Sequence, residues 1–300
     1  MEYSDNFMEN FIQAFQHNFY LTQEYAIFCS QITKIPLKKQ VIENQTIFTL
    51  KNKNISISNY SDTLCGKFRN KNISYLRVTS EINDKSDQPS LIEYSIFHKT
   101  TYEEAFKRYN TSFFHGLREG KKFPHKVKII HQPNIQLIKK IYAIYTDQMK
   151  RRNSFIFPLS FFREFLKSPS SLLFIIEYET NIIAYFCCFE YEDNIYTSIG
   201  GGNPRYFSYR SSNKLYDEII KYACHNKLNI HMGIGEHGSG YQKFKQNAGA
   251  INYKTERFPD DEKLMKLVFP LLKFKLTGSV LSVLSKLFPH LIPYLIMPFT

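Results

Sequence analysis

The residues best equipped for chemistry lie between Gly233 and Gly249. Gly233, Gly235, Gly238 and Gly240 punctuate the stretch, Glu236 and His237 stand between them, and Tyr241, Lys243, Phe244 and Lys245 follow. Glycine lets a backbone approach a ligand where a Cβ would block it. Lysines just past such a turn can meet a phosphate or another anion. A histidine titrates in the range a general base needs, so Glu236 and His237 are the nearest candidates for that work. The plainer reading of both is a pair of solvated loop residues. Gly233 to Gly238 also spells G-x-G-x-x-G, but a dinucleotide fingerprint needs a long crossover helix behind it. Only residues 241–248 are free to be helical before the next apolar run. A ligand-free turn between strand and helix is the other reading.

A second candidate anion site is the start of a helix expected over 213–226. Its free N–H groups, with Arg210, Ser211, Ser212 and Asn213, could cradle a pyrophosphate, or a serine could simply cap the helix. Lys243 stands two residues from Lys245, points elsewhere on a helix, and reads as a surface or secondary phosphate contact. Arg151 and Arg152 close another helix, where cations are favoured, with contact to an anionic substrate as the second reading. His231 reads as either core or cleft. Cys29, Cys65, Cys187, Cys188 and Cys224 are irregularly spaced without a C-x-x-C pair. They suit a reducing cytosol rather than a disulfide framework or a zinc site. No metal cluster and no Gly-x-Ser-x-Gly nucleophile motif is present.

These residues need a scaffold, and the second half of the chain spells one. Strands are expected at 126–131, 172–178, 182–190, 195–199, 229–232 and 251–258. Helices are expected over 133–149, 159–167, 213–226 and 241–248. The order is β-α-α-β-β-β-α-β-α-β, a mixed α/β pattern. The helix from Pro133 carries an apolar stripe of Ile135, Ile138, Ile141, Tyr142 and Tyr145. The helix over 213–226 buries Leu215, Ile219, Tyr222 and Ala223. Glycines at 200–202 mark a loop before it. Earlier in the chain, 6–17 suggests a short helix, and 25–32, 46–50, 55–60, 73–79 and 92–98 suggest strands. One helix is expected from Thr100 or Thr101 to Arg118.

Across 300 residues, 43% are hydrophobic, enough for a large core, and the net charge of +12 points to an anionic partner. Nucleic acid, a membrane surface and a phosphorylated substrate all fit that charge. The acidic N-terminus carries no signal-peptide pattern.

The element order resembles the GNAT acyltransferase fold. The motif GYQKFKQNAG, from Gly240 to Gly249, is similar to the Phe-Lys-containing signature of the FemAB family, whose members add amino acids to peptidoglycan precursors. Gly240, Phe244, Lys245 and Gly249 fall in register. The stretches KKIYAIYTDQMKRRNSFIFPLSFFREFL and FFHGLREGKKFPHKVKI resemble the same family's helix pair and domain crossing. Ala248 replaces the family's phenylalanine, and no coiled-coil arm for transfer RNA is present. The resemblance to this FemAB-like, BioF2-like group implies a mixed α/β GNAT fold in tandem: a reduced N-terminal GNAT-like unit at 1–120 and an acyltransferase unit at 121–263. It implies that Lys245 stabilises a phosphate or the developing oxyanion, and that Tyr241, Gly233 and Gly235 line the donor site. It implies an acyl-CoA or an aminoacyl transfer RNA as co-substrate, with no bound cofactor. The acceptor it implies is an amine on an amino sugar or peptide, including a lipid-linked one. A non-catalytic binding protein for an anionic glycan, lipid or RNA is the rival reading on the same scaffold.

The tail, 264–300, is apolar and basic and is broken by Pro270, Pro289, Pro293 and Pro298. It either packs on the protein or lies in a membrane interface with its lysines at the headgroups. The second reading places the protein at the inner face of the cytoplasmic membrane.

Overall fold

Long apolar runs flanked by turn residues become the strands of one large sheet. The computed structural model describes residues 22–33, 37–42, 45–50, 55–56, 75–81, 92–152 and 156–258. In chain order the elements are α1 (Gln23–Thr33), β1 (Leu37–Ile42), β2 (Gln45–Leu50), β3 (Ile55–Ser56), β4 (Tyr75–Glu81), β5 (Ile92–Phe97), α2 (Tyr102–Arg108), α3 (Thr111–Gly120) and β6 (Lys126–Ile130). Then follow α4 (Ile135–Arg151), α5 (Leu159–Lys167), β7 (Ser171–Tyr178), β8 (Asn181–Tyr191), β9 (Asn194–Gly202), a short 3₁₀ helix (Pro204–Tyr209), α6 (Ser211–Asn226), β10 (Asn229–Glu236), α7 (Gly240–Asn247) and β11 (Ile251–Phe258). Eight strands form a sheet in the order β4-β11-β5-β10-β9-β8-β7-β6, and β1 to β3 form a separate small sheet. Every pairing in the large sheet is antiparallel except β9 with β10.

Strands β7 and β8 are apolar on both faces because helices cover both. On one face α4 and α5 bring Ile138, Ile141, Tyr145, Phe161, Phe162 and Phe165 against Leu173, Tyr185 and Phe189. On the other, α2, α3 and α6 bring Ala105, Phe113, Leu117, Leu215 and Ile219 against Leu172, Phe174 and Ile183. The order β-α-α-β-β-β-α-β-α-β expected over the second half is the one observed. The unit boundary expected at residue 120 falls inside this packing. β5 lies between β11 and β10, and Phe113 and Leu117 share a core with α6.

Several local expectations are corrected. Residues 25–32 are helical, not extended: Tyr25 and Phe28, three apart, both turn inward, and Phe28 meets Phe161 and Phe165 edge-on. The helix expected from Thr100 or Thr101 to Arg118 is two. Its break falls at Tyr109 and Asn110, where the Asn110 side chain caps α3 through Ser112 N, at 2.9 Å. Glycines 200–202 extend β9 rather than forming a loop, and Gly233 and Gly235 extend β10. No serine caps α6, whose Ncap is Arg210 in the left-handed region, without a side-chain cap bond. In α4 the buried stripe is Ile138, Ile141, Tyr145 and Gln148, with Ile135 exposed. The 6–17 helix and the 264–300 tail lie outside the described residues. No helix among the described residues is long and apolar enough to cross a membrane.

Candidate active site

The sheet carries a wedge. β9 and β10 run parallel and pair only where Asn229, Ile230 and His231 meet Asn194, Ile195 and Tyr196. Beyond that they part, although β9 stays paired to β8 as far as Gly202 and β10 to β5 as far as Glu236. The facing edges of the two half-sheets therefore open toward the C-terminal ends of parallel strands, the usual place for a ligand in such sheets.

A polar cluster pins the apex. His231 is buried, its ring stacked on Tyr196 with centroids 4.5 Å apart. Its Nδ1 lies 2.9 Å from the Tyr94 hydroxyl and its Nε2 lies 3.2 Å from Asn194 Oδ1. Asn229 Nδ2 donates to the same Asn194 oxygen at 3.1 Å. Where pairing stops, the Thr197 hydroxyl donates to the His231 carbonyl at 3.1 Å. Of the two sequence readings of His231, core is the correct one.

The wall on the β10 side is shaped by a bulge. The register against β5 shifts between His231 and Gly233, and Gly233 takes φ +69°, which favours glycine. Lys245, reaching back from α7, donates to the Gly233 and Ile234 carbonyls, both at 2.9 Å. Its ammonium sits 4.4 Å from the Tyr241 ring centroid, a cation–π contact. The side chain is 0% exposed. Burial pulls its pKa down to about 7, partly opposed by the Glu93 carboxylate. Lys245 thus stands inside the wall, bonded to backbone, rather than on a solvated helix face.

Beside it lies a connected set of polar side chains. His237 Nδ1 contacts the Glu93 carboxylate. The other Glu93 oxygen accepts from Asn252 Nδ2 at 2.7 Å, Asn252 Oδ1 accepts from Ser95 Oγ at 2.9 Å, and Ser95 Oγ accepts from Gln242 Nε2 at 2.8 Å. Glu93 is buried while His237 is half-exposed. A carboxylate on Nδ1 holds the proton there and leaves Nε2 as the nitrogen able to accept one. Gly235 makes room for this set, because a Cβ there would stand 2.1 Å from Gln242 Oε1. Sequence reasoning missed Glu93. Its signal was the polar Glu93 and Ser95 alternating with Tyr94 and Ile96 along β5, whose two faces are both covered.

The remaining predicted residues divide. Gly233, Gly235, His237, Tyr241 and Lys245 come together at the end of β10 and the start of α7, and Glu236 is the exposed last residue of β10. The Tyr241 and Tyr216 hydroxyls lie 3.2 Å apart, tying this group to α6. Arg210 and Ser212 are exposed at the uncapped start of α6, while Ser211 is buried. Asn213 packs against α3, where a Cβ at Gly116 would stand 2.6 Å from it. Lys243 is exposed on the far side of α7 from Lys245. No group of three or more His, Cys, Asp or Glu side chains able to hold a metal stands together among the described residues.

Residues 118–246 match the family model of an acetyltransferase (GNAT) domain. That stretch, less than half of the chain, is similar to GNAT-type acetyltransferase domains. The crystal structure of FemX aligns with a TM-score of 0.60 and 8% identity over 89% of this chain and 99% of that one. L-PGS from Bacillus licheniformis gives 0.53 and 10% identity over 90% of this chain and 95% of that one. The C-terminal domain of a putative lysylphosphatidylglycerol synthetase from Agrobacterium fabrum gives 0.52 and 10% identity over 87% of this chain and 95% of that one. At these identities the likeness is one of fold, and the fold is the mixed α/β, FemAB-like GNAT arrangement expected from the sequence. No curated protein sequence matches the chain.

Proposed function

We propose that the chain is an N-acyltransferase that holds an acyl-CoA thioester in the wedge between β9 and β10 and transfers the acyl group to an amine. The parting of two parallel strands beside an uncapped helix start carries this reading. The free N–H groups at the start of α6, with Arg210, take the donor's phosphates. His237, held by Glu93, accepts the proton of the attacking amine at Nε2. The amine nitrogen bonds the carbonyl carbon, the carbon–sulfur bond breaks, and the thiolate leaves and takes a proton from Tyr241 or solvent. Lys245 fixes the bulged carbonyls of Gly233 and Ile234 and so holds the shape of the wall where the oxyanion develops.

One observation favours a second donor. The connection from β9 to α6 is aromatic rather than glycine-rich: Phe123 stacks on Tyr209 at 3.9 Å, and Phe207 is 56% exposed beside Arg205. Such a surface suits the stacked, charged end of an aminoacyl transfer RNA. The acceptor in either case is an amino sugar or peptide amine, including a lipid-linked one met at a membrane surface. Radiolabelled acetyl-CoA and aminoacyl transfer RNA, each incubated with the protein and a panel of amines, test the reading. Label should appear in an amide from one donor and disappear in His237→Ala. Label from neither donor would leave a non-catalytic anion-binding protein on this scaffold.

A further inference from the structure

On the opposite face of the wedge, two buried polar atoms have no hydrogen-bond partner among the described residues: Gln148 Oε1 and the Tyr185 hydroxyl. Gln148 is 7% exposed and Tyr185 0%. Gln148 takes the fourth place in the buried stripe of α4, after Ile138, Ile141 and Tyr145, where a hydrocarbon would satisfy packing. Tyr185 lies on β8 directly opposite Gly201 of β9. A Cβ at Gly201 would stand 2.0 Å from Gln148 Oε1 and 3.2 Å from the Tyr185 ring. The amide and the phenol therefore converge on one glycine, and that glycine lies on the part of β9 that has left β10. Folded proteins pair nearly all buried polar groups, because leaving one unpaired is costly. Two orphans at one spot, beside a glycine that makes room for them, fit a site built for an absent partner.

The chemistry of that partner is constrained. An amide oxygen only accepts, so it needs an N–H or O–H donor and repels a carboxylate. The phenol donates or accepts, and burial keeps it neutral. We infer that Gln148 and Tyr185 are specificity-determining residues for the acceptor. Gln148 Oε1 accepts a bond from the substrate's amine or a neighbouring N–H, and the Tyr185 hydroxyl bonds an adjacent hydroxyl or carbonyl. The acceptor class is then a hydroxyl- or amide-bearing amine, not a plain alkylamine. This rests on the acyltransferase reading.

Thermal melting tests it, with wild type, Gln148→Met and Tyr185→Phe each run alone, with acetyl-CoA, and with glucosamine, alaninamide or cyclohexylamine. Both substitutions keep shape and delete the orphaned atom, so the unliganded variants should melt at or above the wild-type temperature. Glucosamine or alaninamide should stabilise wild type, and cyclohexylamine should not. Each variant should keep its response to acetyl-CoA and bind the polar amines about ten-fold more weakly or worse. Lower melting of both unliganded variants would mean the atoms bond a structural water, and would overturn the inference. So would equal binding of the polar amines by variants and wild type, a response of wild type to cyclohexylamine as large as to the polar amines, or no response of wild type to either polar amine. If acetyl-CoA alone fails to shift wild type, the transferase reading suffers while the amine comparison still decides the subsite.

Discussion

Replacing Lys245 by methionine should change how stability depends on pH. The lysine is fully buried, and burial lowers its pKa from 10.5 to about 7. Below about pH 7 both folded and unfolded chains carry the proton, and the folded state bears the full penalty of a buried ammonium. Between about pH 7 and 10.5 the unfolded chain holds the proton and the folded chain does not, so stability rises with pH there. Each factor of ten in proton affinity is about 1.4 kcal/mol, so the whole window amounts to about 5 kcal/mol and the interval from pH 7 to 9 to about 2 kcal/mol. Methionine has no such ionisation. Urea unfolding of both proteins at pH 7 and 9 should show wild type gaining about 2 kcal/mol on the variant at the higher pH. A difference that stays flat, or falls, would mean the ammonium is compensated by the Gly233 and Ile234 carbonyls and Glu93 and that the lysine stays charged.

His237→Ala should lower kcat/KM by about 10²- to 10⁴-fold, and Glu93→Gln should lower it less; steady-state kinetics checks both. Gly235→Ala should destabilise the protein in chemical denaturation, because its Cβ meets Gln242 Oε1 at 2.1 Å and displaces the bond to Ser95. Phe165→Ala should cost about 3–5 kcal/mol in the same assay, since the ring is buried and meets Phe189 at 4.0 Å and Phe28 at 5.8 Å.

What the sequence disclosed follows from where its signals are local. The periodic stripe of α4, the apolar runs of β7 and β8 and the turn residues between them are short-range patterns, and the element order over the second half was legible from them. Gly200–Gly202 and Gly233–Gly235 misled because glycine usually marks a turn. Here glycines sit in strands where a ring or an amide needs the room: Phe186 beside Gly200, Gln148 beside Gly201 and Gln242 beside Gly235. Lys245 and His237 stood out by type and neighbourhood. Glu93, 144 residues from His237, did not, because tertiary pairing alone brings β5 beside β10. Gln148 was hidden by the helical stripe it completes.

Hydrogen exchange with and without acetyl-CoA shows whether the acyl donor binds where β9 and β10 part. Slowed exchange is expected at Gly200–Gly202, at Gly233–Glu236 and at the first amides of α6, with little change in β7 and β8. Protection confined to other segments, or none at saturating acetyl-CoA, would contradict binding there.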